Sequence, residues 1–221
     1  MCISAPASIA AGGLLTAIGI ANLKQIHKPG QSLFAAIPLL FATQQFSEAF
    51  VWLSLQSPEY SGFKTTAALV FLAFAQIIWP VYVPLSLYFM ENDPGRKKRI
   101  LVFAMTGLAF SAYMAYCLLF FEVDAEISHN HIRYSMYHPL KLGNVGGLAY
   151  FMATVASLFI TGIPRMKILG LAILASFLLS KLYFTDTLIS VWCFFAALQS
   201  MLVYYILFGF RKPTLLSNPL A

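Results

Sequence analysis

Charge is what this sequence has least of. Of its 221 residues only 10% are Asp, Glu, Lys or Arg, while 60% are hydrophobic and the mean hydropathy is +0.77. A soluble domain normally carries about 25% charged residues; too few are present here to cover a soluble globule. The chain therefore reads as a polytopic membrane protein. Cysteine is also scarce. Cys2, Cys117 and Cys193 form no CxxC pair and no zinc-ribbon spacing, so neither a disulfide framework nor a redox motif is implied. There is no nucleotide-binding loop, no c-type haem motif and no acyl-transfer triad. No histidine falls within a predicted span, which argues against bis-histidine haem ligation inside a bundle. The formal net charge of +6 does not indicate nucleic acid, because the basic residues sit in short loops rather than on one solvated face interleaved with aromatics.

What is abundant is apolar sequence in runs of spanning length. A span needs about 20 residues at 1.5 Å rise each. Seven stretches qualify, at 5–23, 32–56, 65–90, 100–121, 144–163, 166–184 and 188–210. They are separated by KPGQ, SPEYSG, NDPG, KLGN, GIP and FTDT, which carry turn residues. The expected fold is an all-α, seven-helix membrane bundle forming one domain over 1–221. No Lys or Arg precedes Lys24, so the first segment is expected to be retained as a helix rather than cleaved as a signal peptide. Nor does Cys2 stand in a lipoprotein context.

Loops 24–31, 91–99 and 164–167, with the tail from Arg211, contain ten of the fourteen basic residues: Lys24, Lys28, Arg96, Lys97, Lys98, Arg99, Arg165, Lys167, Arg211 and Lys212. The opposite loops hold Glu59, Glu122, Asp124, Glu126 and Asp186. By the positive-inside rule the C-terminus is cytoplasmic and the N-terminus outside.

Against this background FATQQFSEAFVWLSL stands out, since a charge near the bilayer centre costs at least about 2.5 kcal/mol. Gln44, Glu48 and Trp52 recur at i, i+4 and i+8, along one helix face. Gln45 is beside them, Gln76 is near the middle of the third span and Gln199 near the middle of the seventh. The amides suit interhelical hydrogen bonds worth roughly 0.6 kcal/mol each. Glu48 fits that duty less well, because an amide would serve without ionising. It is read as a ligand, proton or metal group, with a neutral structural acid as the alternative. Pro80 and Pro84 each remove an N–H from the third helix, which predicts a kink and carbonyls in need of partners. Lys181 lies near a helix end, where a lysine snorkels to the interface.

In FEVDAEISHNHIRYSMYHPLK, Val123, Ala125 and Ile127 alternate with polar residues, as do Ile132, Tyr134 and Met136 after SHNH. Period-two patterning around an Asn turn predicts a short β-hairpin lid in the outer loop 122–141. His129 and His131 fall two apart, so on one strand both would point to one side. A catalytic zinc or other transition metal would need a third ligand, His138 or Glu48. Solvated histidines are the simpler reading.

The strings MCISAPASIAAG, PLLFATQQFSEAFVWLSL, HIRYS and SVWCFFAAL together resemble a family of uncharacterised bacterial seven-helix membrane proteins that begin Met-Cys-x-Ser-Ala-x-Ala-Ser. The resemblance spans the chain and implies architecture, with no established activity. It singles out Cys2, Ser4, Glu48, Trp52, His131, Tyr134, Trp192 and Cys193, and it places the protein in a bacterial cytoplasmic membrane. The family often has His where this chain has Gln45. The His-x-x-x-His of the ceramidase and adiponectin-receptor type of zinc hydrolase is absent from 188–210.

The expectation is a pocket open to the outside around Glu48 under the lid. Gln44, Gln45, Trp52, Gln76, Tyr134, Trp192, Cys193, Cys2 and Ser4 would help to bind a small or lipid-like ligand, a cation or a proton. A metal-dependent hydrolase, with Glu48 as general base and His129, His131 and His138 as ligands, is the alternative; a proton or solute conduit is another.

Overall fold

The structure, a computed structural model, describes residues 4–140 and 142–210. It is mostly helical. The helical stretches are α1 (Ala5–Leu23), α2 (Ser32–Gln56), α3 (Pro58–Met90), α4 (Pro94–Phe120), α5 (Gly143–Ile160), α6 (Met166–Tyr183) and α7 (Thr185–Gly209). Between α4 and α5 a hairpin of β1 (Val123–Ser128) and β2 (His131–Met136) forms an antiparallel pair.

Six of these helices, all except α2, are long and apolar enough to cross a membrane. The sequence count is seven; six of the seven stretches meet this standard. α2 has the length, at 25 residues, but Gln44, Gln45, Ser47, Glu48 and Ser54 dilute its apolarity. It tolerates them because they are buried where α2 packs within the bundle, in which it touches α1, α3, α7 and β1. Fourteen of its residues are buried, among them all five of those polar ones.

Local chemistry explains the boundaries. Ser4 caps α1 by accepting a hydrogen bond from the Ala7 N–H at 3.4 Å, with Pro6 in the first turn. α1 then buries Ala5, Ser8, Gly12, Leu15, Gly19 and Asn22, mostly small residues at alternating spacings of three and four. A Cβ on Gly12 would meet the Phe46 ring at 2.7 Å, and one on Gly19 would overlap Leu39, so the two helix backbones approach closely. α4 starts at Pro94 rather than at 100. Asp93 caps it through the Arg96 N–H at 2.7 Å, and the basic run 96–99 becomes its first turns.

The disturbance predicted at Pro80 takes the form of a π-helical turn over Ala73–Ile78. Neighbouring helices satisfy carbonyls there: Tyr150 O–H donates to Ala75 O and Ser111 O–H to Ile77 O, each at 2.8 Å. Further along, Gly107 of α4 lies so close to Pro80 O that any Cβ would overlap it. That carbonyl is the one left open by the missing N–H of Pro84. A second π-helical turn, Met152–Ala156, interrupts α5, and α7 breaks between Leu188–Gln199 and Leu202–Gly209.

Two large hydrophobic clusters fill most of the bundle, with a small third one of Ala11 and Phe194. One of the large ones includes Leu15, Phe34, Phe41, Trp79, Leu158, Met166 and Leu207; the other, next to the hairpin, includes Val51, Trp52, Phe71, Leu118, Ala125 and Ile132. On α2 the first cluster stops at Ala42 and the second starts at Val51. Gln44, Gln45, Ser47 and Glu48 occupy the interval.

The hairpin has the predicted pattern. Val123 pairs with Met136, Ala125 with Tyr134 and Ile127 with Ile132, so the apolar residues of both strands share one face. His129 is corrected: it is not on a strand beside His131 but in the two-residue turn, where His129 (φ 48°) and Asn130 (φ 61°) both adopt positive φ. That is the twist a tight hairpin requires. Lys64 Nζ ties the hairpin to α3 through Asp124 at 2.6 Å, and Glu126 pairs across the strands with Arg133.

Candidate functional site

The polar interval of α2 is built from side chains of three helices. Glu48 is fully buried and accepts a hydrogen bond from Ser190 O–H of α7 at 2.6 Å. One turn earlier, Gln44 Oε1 accepts from the Trp79 indole N–H of α3 at 2.8 Å. The Gln44 amide lies beside the Cys193 thiol, which is also within electrostatic reach of Glu48. Ser190 and Cys193 are one helical turn apart on α7, as Gln44 and Glu48 are on α2, so two facing turns meet. Gln45 is also fully buried, and neither of its amide atoms has a hydrogen-bond partner among the described residues.

Beside this layer lies a cavity of about 60 Å³. Phe34, Phe41, Trp79, Tyr150, Trp192 and Cys193 form part of its wall. Phe34 and Phe41 precede Gln44 on α2, so the cavity occupies the half of the bundle away from the hairpin. This differs from the expected outward placement: Glu48 is not part of the wall, and of the residues chosen from sequence only Trp192 and Cys193 line it. Trp79 stacks on Phe41 with centroids 3.9 Å apart, and Trp192 meets Tyr150 at 5.5 Å and Phe177 at 4.9 Å. Trp79 and Cys193 therefore belong to both wall and layer.

The other candidates fall elsewhere. Trp52 is buried in the hairpin-side cluster, where Tyr134 stacks on Phe71 at 4.7 Å. Gln76 is half-buried within the π-helical turn. Gln199 fastens α7 to α6, donating to Ala172 O at 3.1 Å and accepting from Ser176 at 3.5 Å. Ser4 serves as a helix cap, and Cys2 lies outside the described residues. His131 is buried with its ring edge-on to Phe184 at 5.0 Å, whereas His129 and His138 are exposed. Among the described residues no group of three or more His, Cys, Asp or Glu side chains could hold a metal ion.

Sequence reasoning missed one buried carboxylate. Glu91, just past α3, accepts from the Asn92 and Asp93 N–H groups on one oxygen and from Thr161 O–H and Gly162 N–H on the other, at 2.7–3.1 Å. Arg96 stands 3.6 Å away. Burial alone would push its pKa up, but the bonds from Gly162, Asp93, Thr161 and Asn92 together outweigh it and hold the carboxyl below the usual carboxylate range. The signal was the NDPG cap that follows it, read only as a turn. At the hairpin, the hydrogen bond from Lys64 likewise holds Asp124 below the usual range.

These features define a mostly helical, multi-pass membrane protein with a buried carboxylate layer, an apolar cavity and a two-stranded hairpin at one end. The chain belongs to a family of unknown function, DUF6629, which matches it over residues 1–216. No curated protein and no solved structure matches it.

Proposed function

We propose that this protein binds a small or lipid-like ligand within the membrane, in the cavity adjoining the Glu48 layer. The observation that carries the reading is the contact between the two: Trp79 and Cys193 line the cavity while the same side chains adjoin Gln44. Apolar walls with a few convergent polar groups are the usual form of a small-molecule site. Here Trp79 and Cys193 are the polar side chains that link the wall to Gln44, Glu48 and Ser190 in the layer behind it, and the hairpin covers the other end of the bundle.

In this reading α2 is a seventh crossing, with its polar residues turned toward the other helices and Phe46 and Phe50 exposed. The basic loops face the cytoplasm, and the hairpin and N-terminus face outward. The resemblance to bacterial seven-helix proteins supports a bacterial cytoplasmic membrane.

Native mass spectrometry of the protein extracted from its own membranes tests the reading. The wild-type protein should carry an adduct of lipid-like mass, and Ala196→Phe, which projects a ring from the cavity wall, should reduce its occupancy. A bare wild-type protein would count against ligand binding.

A further inference from the structure

The wall of the cavity constrains the chemistry of its occupant. No Asp, Glu, Lys, Arg or His lines it among the described residues. An ammonium or a carboxylate would enter there with no counter-charge in the wall itself and the carboxyl of Glu48 only behind Cys193, at a cost of several kcal/mol. The ligand is thus neutral at the part that fills the cavity.

The wall's hydroxyl donors are already committed. Tyr150 O–H goes to Ala75 O at 2.8 Å, Thr154 O–H to Tyr150 O at 2.9 Å and Ser200 O–H to Ala197 O at 2.6 Å. The indole N–H of Trp79 goes to Gln44. The indole N–H of Trp192 differs: it is buried and has no acceptor among the described residues. Buried donors are almost always paired, and leaving one unpaired costs about 1–3 kcal/mol. An occupant that supplies an acceptor recovers that loss.

We infer that the cavity takes a neutral hydrocarbon molecule bearing a carbonyl oxygen, which accepts a hydrogen bond from the Trp192 indole N–H. This rests on the cavity being a ligand site. It selects ketone, ester or quinone-type oxygens over amines, fatty-acid carboxylates and plain alkanes, and makes Trp192 the residue that discriminates among them.

Titration calorimetry of the purified protein in lipid nanodiscs, referenced to empty nanodiscs, tests it with four probes of matched length: 2-octanone, octane, octylamine and octanoate. The ketone should bind roughly three- to tenfold more tightly than octane, the range one net hydrogen bond provides. Trp192→Phe should abolish that preference while octane still binds. Equal binding of ketone and octane overturns the inference and leaves the ligand site standing. So does tightest binding by the amine or the acid, or a ketone preference that survives Trp192→Phe. No binding of any probe above the empty nanodisc removes the ligand site and this inference with it. The wild-type comparison decides the matter even if the variant fails to fold.

Discussion

Glu48 and Glu91 are both buried acids, yet their surroundings differ in kind. Glu91 sits where α3, α4 and the connection between α5 and α6 converge, and three of its donors are backbone N–H groups. Those groups cannot move without moving the chain. Glu48 sits mid-helix, is bonded by the hydroxyl of Ser190, and is flanked by amides and a thiol next to a cavity. Side-chain partners can rotate or be exchanged for a ligand, whereas backbone partners fix a joint. The contrast teaches that burial alone does not tell a fixed joint from a carboxylate whose partners can be exchanged; the nature of its donors does.

The largest effect should come from breaking the joint. Glu91→Ala leaves four donors without their acceptor and should cost roughly 3 kcal/mol or more. A thermal melt in detergent reads this directly. The pH dependence follows from the depressed carboxyl. Its stabilisation is complete above the usual carboxylate range, where the unfolded chain is ionised too. It is lost as pH falls through the lower folded-state value, because the unfolded chain then binds the proton first. The wild-type melting temperature should therefore drop on acidification more than that of the variant.

A smaller change in stability is expected at Glu48. Glu48→Gln keeps an acceptor for Ser190 and should cost only about 1 kcal/mol in the same melt. Under the proposed function it should nevertheless lower the occupancy of the co-purifying adduct, acting through Gln44 and Cys193. If Glu48→Gln destabilises as much as Glu91→Ala and leaves the adduct in place, the contrast fails and Glu48 is a second fastener.

The sequence shows the first of these acids and hides the second for a physical reason. A carboxylate among Phe, Val and Leu violates the composition of a span, so Glu48 is conspicuous. Glu91 lies among Asn92, Asp93 and Arg96, where a charge is ordinary; its acceptors and donors meet only when Thr161 and Gly162 fold back against it. Helix limits such as Ala5–Leu23 and Ser32–Gln56 were legible because apolar runs and turn residues set them locally. The Val123, Ala125 and Ile127 alternation revealed the hairpin in the same local way. The π-helical turns, the break before Leu202 and the side on which the cavity falls depend on how several helices meet, and no single stretch encodes them. His129 shows the limit within one motif: a spacing of two fits a strand, but the turn absorbs the first histidine.

The smallest effect should be at the hairpin, where the Lys64–Asp124 pair is a third exposed on one side and well over half exposed on the other. Exposed pairs contribute little, so Asp124→Asn should barely shift the melt. Its signature should be local: faster backbone hydrogen exchange over residues 123–136 at neutral pH, with α1 and α2 unchanged. The wild-type tether should weaken only as pH falls through the depressed folded-state value of Asp124, below the usual aspartate range. Unchanged exchange in Asp124→Asn would mean that Ala125 and Ile132, both fully buried, seat the hairpin without the ion pair. Loss of protection extending into α2 would instead couple the hairpin to the Glu48 layer, which would make the cover at one end of the bundle part of the site.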